Sequence, residues 1–178
     1  MPTFATRSTR VTSVIGLAAA GFALAAGLTG CSVINTLTHQ TGRDASGTPT
    51  ATNSAADVFS IKVGDCLDDA KITGTTTTTP IVPCAKPHDS EAYKSIVMAD
   101  GDYPGDDAVK QQSQEGCTAA FAAFIGIPYD KSTLDVSYYF PTEDSWAGGD
   151  REIMCTVGDT DADGSPKQST GSLKGSAR

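Results

Sequence analysis

Apolar and polar side chains alternate with a period of two along several stretches of the chain. Leu134, Val136, Tyr138 and Phe140 alternate with Asp135, Ser137 and Tyr139, and Phe59, Ile61 and Val63 alternate with Ser60 and Lys62. Successive side chains of a strand point to opposite faces, so each stretch predicts a half-buried strand. Pro141 breaks the former and Gly64-Asp65 turns the latter. AYKSIVM (92–98) reads as a strand with Tyr93, Ser95 and Val97 on one face and Ile96 and Met98 on the other. Ile153, Cys155 and Val157 mark another, and Ile81-Val82 leads into Pro83-Cys84 after a threonine run (75–79) that suits strand edge or loop.

The period changes after the turn GDYPG (101–105). Asp106 and Asp107 suit the positive end of a helix, and Val109, Cys117, Phe121 and Phe124 fall on one stripe at helical spacing. Gly126 followed by Pro128 ends it. TEDSWAGGD (142–150) is a loop or short helical turn with the sole tryptophan, Trp146. Several strands and one main helix predict a small α+β domain with a largely antiparallel sheet.

The first thirty residues follow neither pattern. Arg7 and Arg10 precede a charge-free stretch, and Val14 to Leu28 is a near-continuous apolar run, the pattern of a secretory signal. Leu28-Thr29-Gly30-Cys31 has the form of a lipobox: an aliphatic residue, two small ones and a cysteine whose thiol receives diacylglycerol. Residues 1–30 are therefore expected to be a lipoprotein signal peptide and Cys31 the lipidated residue. Two or more acyl chains suffice for stable anchoring. The expected location is the outer face of the cell membrane. Residues 31–57, rich in Thr, Ser, Ala and Gly and including His39, read as a flexible tether. Folding is expected from residue 58 to 178, enough chain for one modest core.

Export changes the meaning of the other cysteines. Cys66, Cys84, Cys117 and Cys155 remain after Cys31, an even number suited to disulfides in an oxidising compartment. Four thiols allow three pairings. Cys66–Cys84 and Cys117–Cys155 are favoured, the second stapling helix to sheet, with the crossed pairings open. Zinc at Cys84 and His88 is the rival reading. It lacks a second close-spaced ligand pair, so no metal or other cofactor is expected.

Charge then narrows the partners. The 178-residue chain has 13 Lys+Arg and 21 Asp+Glu; residues 1–30 hold two of the arginines and no acid, so the remainder carries 11 against 21, a net charge of −10. Such a surface repels nucleic acid, leaving the membrane (through the anchor), envelope or division proteins, and cell-wall polymer as expected partners.

VPCAKPHDSE (82–91) gathers the residues with most chemistry. His88, Asp89 and Glu91 form either an acid/base group or a turn that pins Cys84. The chain offers no GxSxG, HExxH or free thiol to accompany a base, and the turn is the preferred reading. Trp146 and Arg151 are a candidate binding surface, with Arg151 alternatively reaching Asp89 or Glu91 as a bidentate pair. Asp159, Asp161, Asp163 and Gly164 match the start of a calcium loop, but its twelfth position is Thr170 and its eighth Pro166, so a polar hairpin is preferred.

VGDC (63–66), VPCAKPHDSE (82–91), CTAAF (117–121), PTEDSWAGGDREIMC (141–155) and TGSLKG (170–175), in that order, resemble the bacterial septum-formation domain family. The resemblance spans Val63 to Gly175. It implies an exported, often lipid-anchored protein acting in division or envelope growth, four matching cysteines, and no established catalytic residues. The resulting expectation is a non-enzymatic binding or scaffolding protein, the alternative being a cell-wall or peptide hydrolase centred on His88 and Glu91.

Overall fold

The computed structural model describes residues 41–178; the expected signal peptide, Cys31 and His39 lie outside them. Seven strands form one sheet: β1 (Asn53–Asp57), β2 (Cys66–Leu67), β3 (Thr78–Val82), β4 (Ser90–Val97), β5 (Leu134–Tyr139), β6 (Glu152–Thr160) and β7 (Pro166–Lys167). Their order is β1-β3-β2-β4-β6-β5, with β7 also on β6, and every pairing is antiparallel. The long helix α1 (Asp106–Ile125) packs on β4, β5 and β6, and α2 (Glu143–Ala147) is a single capped turn. This is the α+β architecture that the periodicity predicts.

Helix α1 buries Val109, Ser113, Cys117, Phe121 and Ile125. The strict four-residue spacing places Ile125, rather than the expected Phe124, at the end of the inner stripe; Phe124 packs at its margin. Gly126 closes the helix at φ 99°, a left-handed conformation that glycine adopts without a Cβ clash. Tyr93, Trp146, Ile153, Cys155, Val157 and Leu173 complete this apolar cluster, and Tyr93 donates its hydroxyl hydrogen to Cys117 O at 2.6 Å. Two disulfides, Cys66–Cys84 and Cys117–Cys155, close loops with separations of 18 and 38 residues.

A second, smaller cluster occupies the other face of the sheet: Ala56, Ile61, Leu67, Ile81, Ala92 and Met154. It exists because the sheet curls. Strands β3 and β5 are four positions apart, about 19 Å in a flat sheet, yet Thr79 Oγ1 on β3 lies 3.1 Å from the Tyr139 hydroxyl on β5.

Three expectations are corrected. The tether does not run to residue 57. Asn53–Asp57 pair with β3, Ala56 is fully buried, and Arg43 makes a bidentate ion pair with the buried Asp65. Composition missed this because an ion pair and backbone hydrogen bonds, rather than large apolar side chains, hold the segment. The alternation at 59–63 is not a strand. Val58–Ser60 form a 3-10 turn capped by Asp57, only Ile61 of the apolar three is buried, and Phe59 and Val63 are 60% and 52% exposed. Both edges of the neighbouring β3 are already taken by β1 and β2. Finally, the faces of 92–98 change at a bulge between Ala92 and Lys94, so Tyr93 and Ile96 both reach the α1 cluster while Val97 points to solvent.

Candidate functional site

The stretch 82–91 runs from the end of β3 into β4, and His88, Asp89, Ser90 and Glu91 are turned inward while Lys86 is exposed. His88 is fully buried; its Nδ1 lies 2.8 Å from Lys86 O, and its backbone forms a two-way bridge with Ser169. Glu91 is 2% exposed, and its carboxylate accepts from Leu173 N at 2.6 Å and Ser172 Oγ at 2.7 Å. The two residues thus dock the segment 169–175 onto the sheet and seat Leu173 in the apolar cluster. Neither presents a surface to a substrate. Cys66, Cys84 and Glu91 bring potential ligand atoms within 4.8 Å of one another, but the two sulfurs are bonded together, and metal coordination requires thiolates.

Asp89 faces elsewhere. Its carboxylate accepts from Ala70 N at 2.9 Å and lies against Asp68. Gly158 sits opposite; a Cβ there would meet Asp89 O at 2.6 Å, so the close approach of β4 and β6 at this point depends on glycine. Next to Asp89, Ser90 Oγ donates to Asp69 at 2.9 Å, and the Tyr139 hydroxyl donates to the same carboxylate at 2.9 Å. The hydrogen bond and charge of Asp89 raise the Asp68 carboxyl above its ordinary value. Burial raises that of Asp69 more than its hydroxyl donors lower it.

The Asp69–Asp89 cluster lies at one part of an open groove of 1240 Å³, lined by Asp135–Phe140 and by the β1–β3 corner at Val58, Phe59 and Thr75–Thr77. Asp68, Asp69 and Tyr139 were missed as site residues. The adjacent aspartates after Cys66-Leu67 were the available signal, but only the curl of the sheet brings Tyr139 to them, across 70 positions of sequence.

Trp146 and Arg151 do not join this group. Trp146 is 6% exposed, held by its own Nε1–H to Gly101 O at 2.9 Å and by the edge of Tyr103. Arg151 lies 3.8 Å above the indole, donates to Trp146 O and Asp150 O, and pairs with Asp100 at 3.3 Å. The expected reach to Asp89 or Glu91 is therefore corrected: the guanidinium is spent on stacking and on loop carbonyls beside it. The aspartates at 159–163 form a hairpin turn, in which Asp161 N donates to Ser165 O and Asp159 pairs with Arg178 and Lys167.

Among the described residues no helix is long and apolar enough to cross a membrane. A family model described as septum formation matches residues 8–139 and 63–178. Two curated relatives, from Mycobacterium tuberculosis and Mycobacterium bovis, are both named "Putative lipoprotein LppN". Each is 33% identical over 95 residues, which is 52% of this chain and 50% of theirs. The chain therefore spans about half the length of the curated relatives it matches. No solved structure matches it.

Proposed function

Because the chain belongs to the septum-formation family, we propose that it is a lipid-anchored envelope protein whose outward domain binds a partner in envelope growth or division and catalyses no reaction. Cys31 carries the anchor, and the acyl chains rather than the acidic surface hold the protein at the outer face of the membrane. The name of the two relatives supports the anchor, and the matched family supports the process.

The observation that carries the binding reading is the division of labour among polar groups. His88 and Glu91, the pair an acid/base mechanism would use, are sealed and hold the chain's own C-terminal segment, while the concave side of the sheet is open. A general base must come within hydrogen-bond reach of the proton it removes, which a 0% exposed imidazole does not do from where it stands.

Two measurements test the reading. Glu91→Ala leaves the Leu173 amide without its acceptor and is expected to lower stability by about 2 kcal/mol, seen as a lower melting temperature. Loss of function with unchanged melting would instead point to the hydrolase. Second, the mature oxidised protein, immobilised and exposed to solubilised envelope, is expected to retain a specific partner, and Cys31→Ser is expected to release the protein from the membrane fraction. An anchored protein that captures nothing would defeat the binding role.

A further inference from the structure

The groove described above has a free strand edge for a wall. Strand β5 pairs with β6 along its whole length, and no strand among the described residues pairs with its other side. Residues 135–140 all line the groove, both alternating sets, so it reaches the edge of β5 as well as the sheet face shared with Met154, Thr156 and Gly158 of β6. The edge backbone is also poorly occupied. Leu134 N–H donates to Ser132 Oγ and Val136 N–H to Asp135 Oδ1, two local side chains in place of a neighbouring strand. Every second residue of a strand presents its amide to the same side, so Tyr138 N–H lies on that edge too. Exposed edges of this kind are templates for another extended segment.

Charge selects the segment. Nine carboxylates line the groove against a single ammonium, Lys110, so its field excludes an acidic strand and draws in a basic one. Asp135, Glu143 and Asp144 stand in or just after β5, where side chains of an added strand would project. Lys110 is already engaged within the chain: its ammonium lies 5.9 Å from the Phe140 ring centroid and 3.7 Å from Asp106 on the same helix. A second copy of this chain is a poor occupant, because its net charge of −8 opposes the same field.

Resting on the binding role proposed above, we infer that the β5 edge accepts an extended basic segment of an envelope protein as an added antiparallel or parallel strand, extending the sheet into the acidic groove. Backbone hydrogen bonds to the β5 edge would supply affinity, and lysine or arginine at alternate positions would meet the carboxylates.

The test uses the mature chain and an octapeptide of alternating lysine and valine, with an aspartate–valine octapeptide as control. Hydrogen exchange followed by NMR is expected to show the lysine peptide slowing the Tyr138 amide at least about tenfold, with affinity falling as salt rises. The double variant Glu143→Gln, Asp144→Asn, both at exposed positions, is expected to weaken binding at least about threefold with its melting temperature retained. Equal binding of the aspartate peptide, an unprotected Tyr138 amide with bound peptide, or concentration-dependent self-association through β5 would each overturn the inference. Envelope capture that persists while the peptide fails sinks only the strand addition; failure of both sinks the wider binding role.

Discussion

The two disulfides close loops of 18 and 38 residues and sit in different surroundings. Cys117–Cys155 is fully buried between α1 and β6, inside a cluster of Phe121, Ile125, Ile153 and Val157. Cys66–Cys84 lies among Leu67, Ile81 and Val82 but also close in sequence to five buried polar residues, Asp65, His88, Asp89, Ser90 and Glu91. On the helix side the hydrophobic effect orders the chain, and it needs only shape and area. Around Cys66–Cys84 charges and hydrogen bonds add to the apolar contacts, and a buried polar group is costly unless it finds a partner. The first arrangement holds no carboxylate or ammonium among its buried residues and has only partly buried side chains at its rim. The second fixes particular residues in particular places, as Glu91 does for Leu173.

The comparison breaks most visibly at Phe121. Truncation to alanine removes a fully buried ring packed edge-on against Tyr93 at 6.4 Å and Tyr129 at 5.2 Å. The expected loss is about 3–5 kcal/mol by denaturant unfolding, with no dependence on pH. A cost below about 1 kcal/mol would mean that the helix side is not the stabilising half.

Arg43→Ala attacks the surroundings of the other disulfide, through the residue that precedes Cys66. It leaves Asp65, whose side chain is 2% exposed, as a buried carboxylate without its counter-charge. The expected cost is about 3 kcal/mol, diminished in an Arg43→Ala, Asp65→Asn double variant because the uncompensated charge is gone. The same substitution is expected to loosen residues 41–57, read as faster proteolysis ahead of β1. An unaltered cleavage pattern would assign that segment's order to its pairing with β3 alone.

The smallest effect sharpens the contrast through pH. Burial raises the Asp69 carboxyl above its ordinary 3.8, so the folded protein holds this proton more tightly than the unfolded chain does. The stability it contributes is full below the unfolded value and is lost as pH rises through the folded one. Asp69→Asn keeps an acceptor for Ser90 and Tyr139 and removes the titration. Melting temperature plotted against pH from 3.8 upward is expected to decline less for the variant than for the parent, and parallel curves would remove Asp69 from the account.

Helix α1 and β5 were legible from residues 106–125 and 134–139, because burial on one side of a regular element leaves its period in the sequence, while β6, buried on both faces over Ile153–Val157, was marked by Ile153, Cys155 and Val157. The strand at 59–63 shows the limit of that signal: the alternation was present, but no open neighbouring edge was there to pair with it. Of the candidate site, Asp89 was named and its neighbours in space were not. Asp69, Ser90, Thr79 and Tyr139 come from three strands and a turn, and no local period links them. His88 and Glu91 were named for chemistry that their burial assigns to architecture.

By itself the sequence determined the class of fold and a net acidic surface, since composition and periodicity are properties of short windows and sums. It also held the expectation of export, in a leader and a cysteine adjacent to one another in the chain. Tertiary structure alone decided which polar residues face solvent and which edge of the sheet stays unpaired. Those outcomes depend on a curl that brings β3 to β5 and on the docking of residues 169–175, contacts between positions 60 to 82 residues apart whose energies no local pattern records.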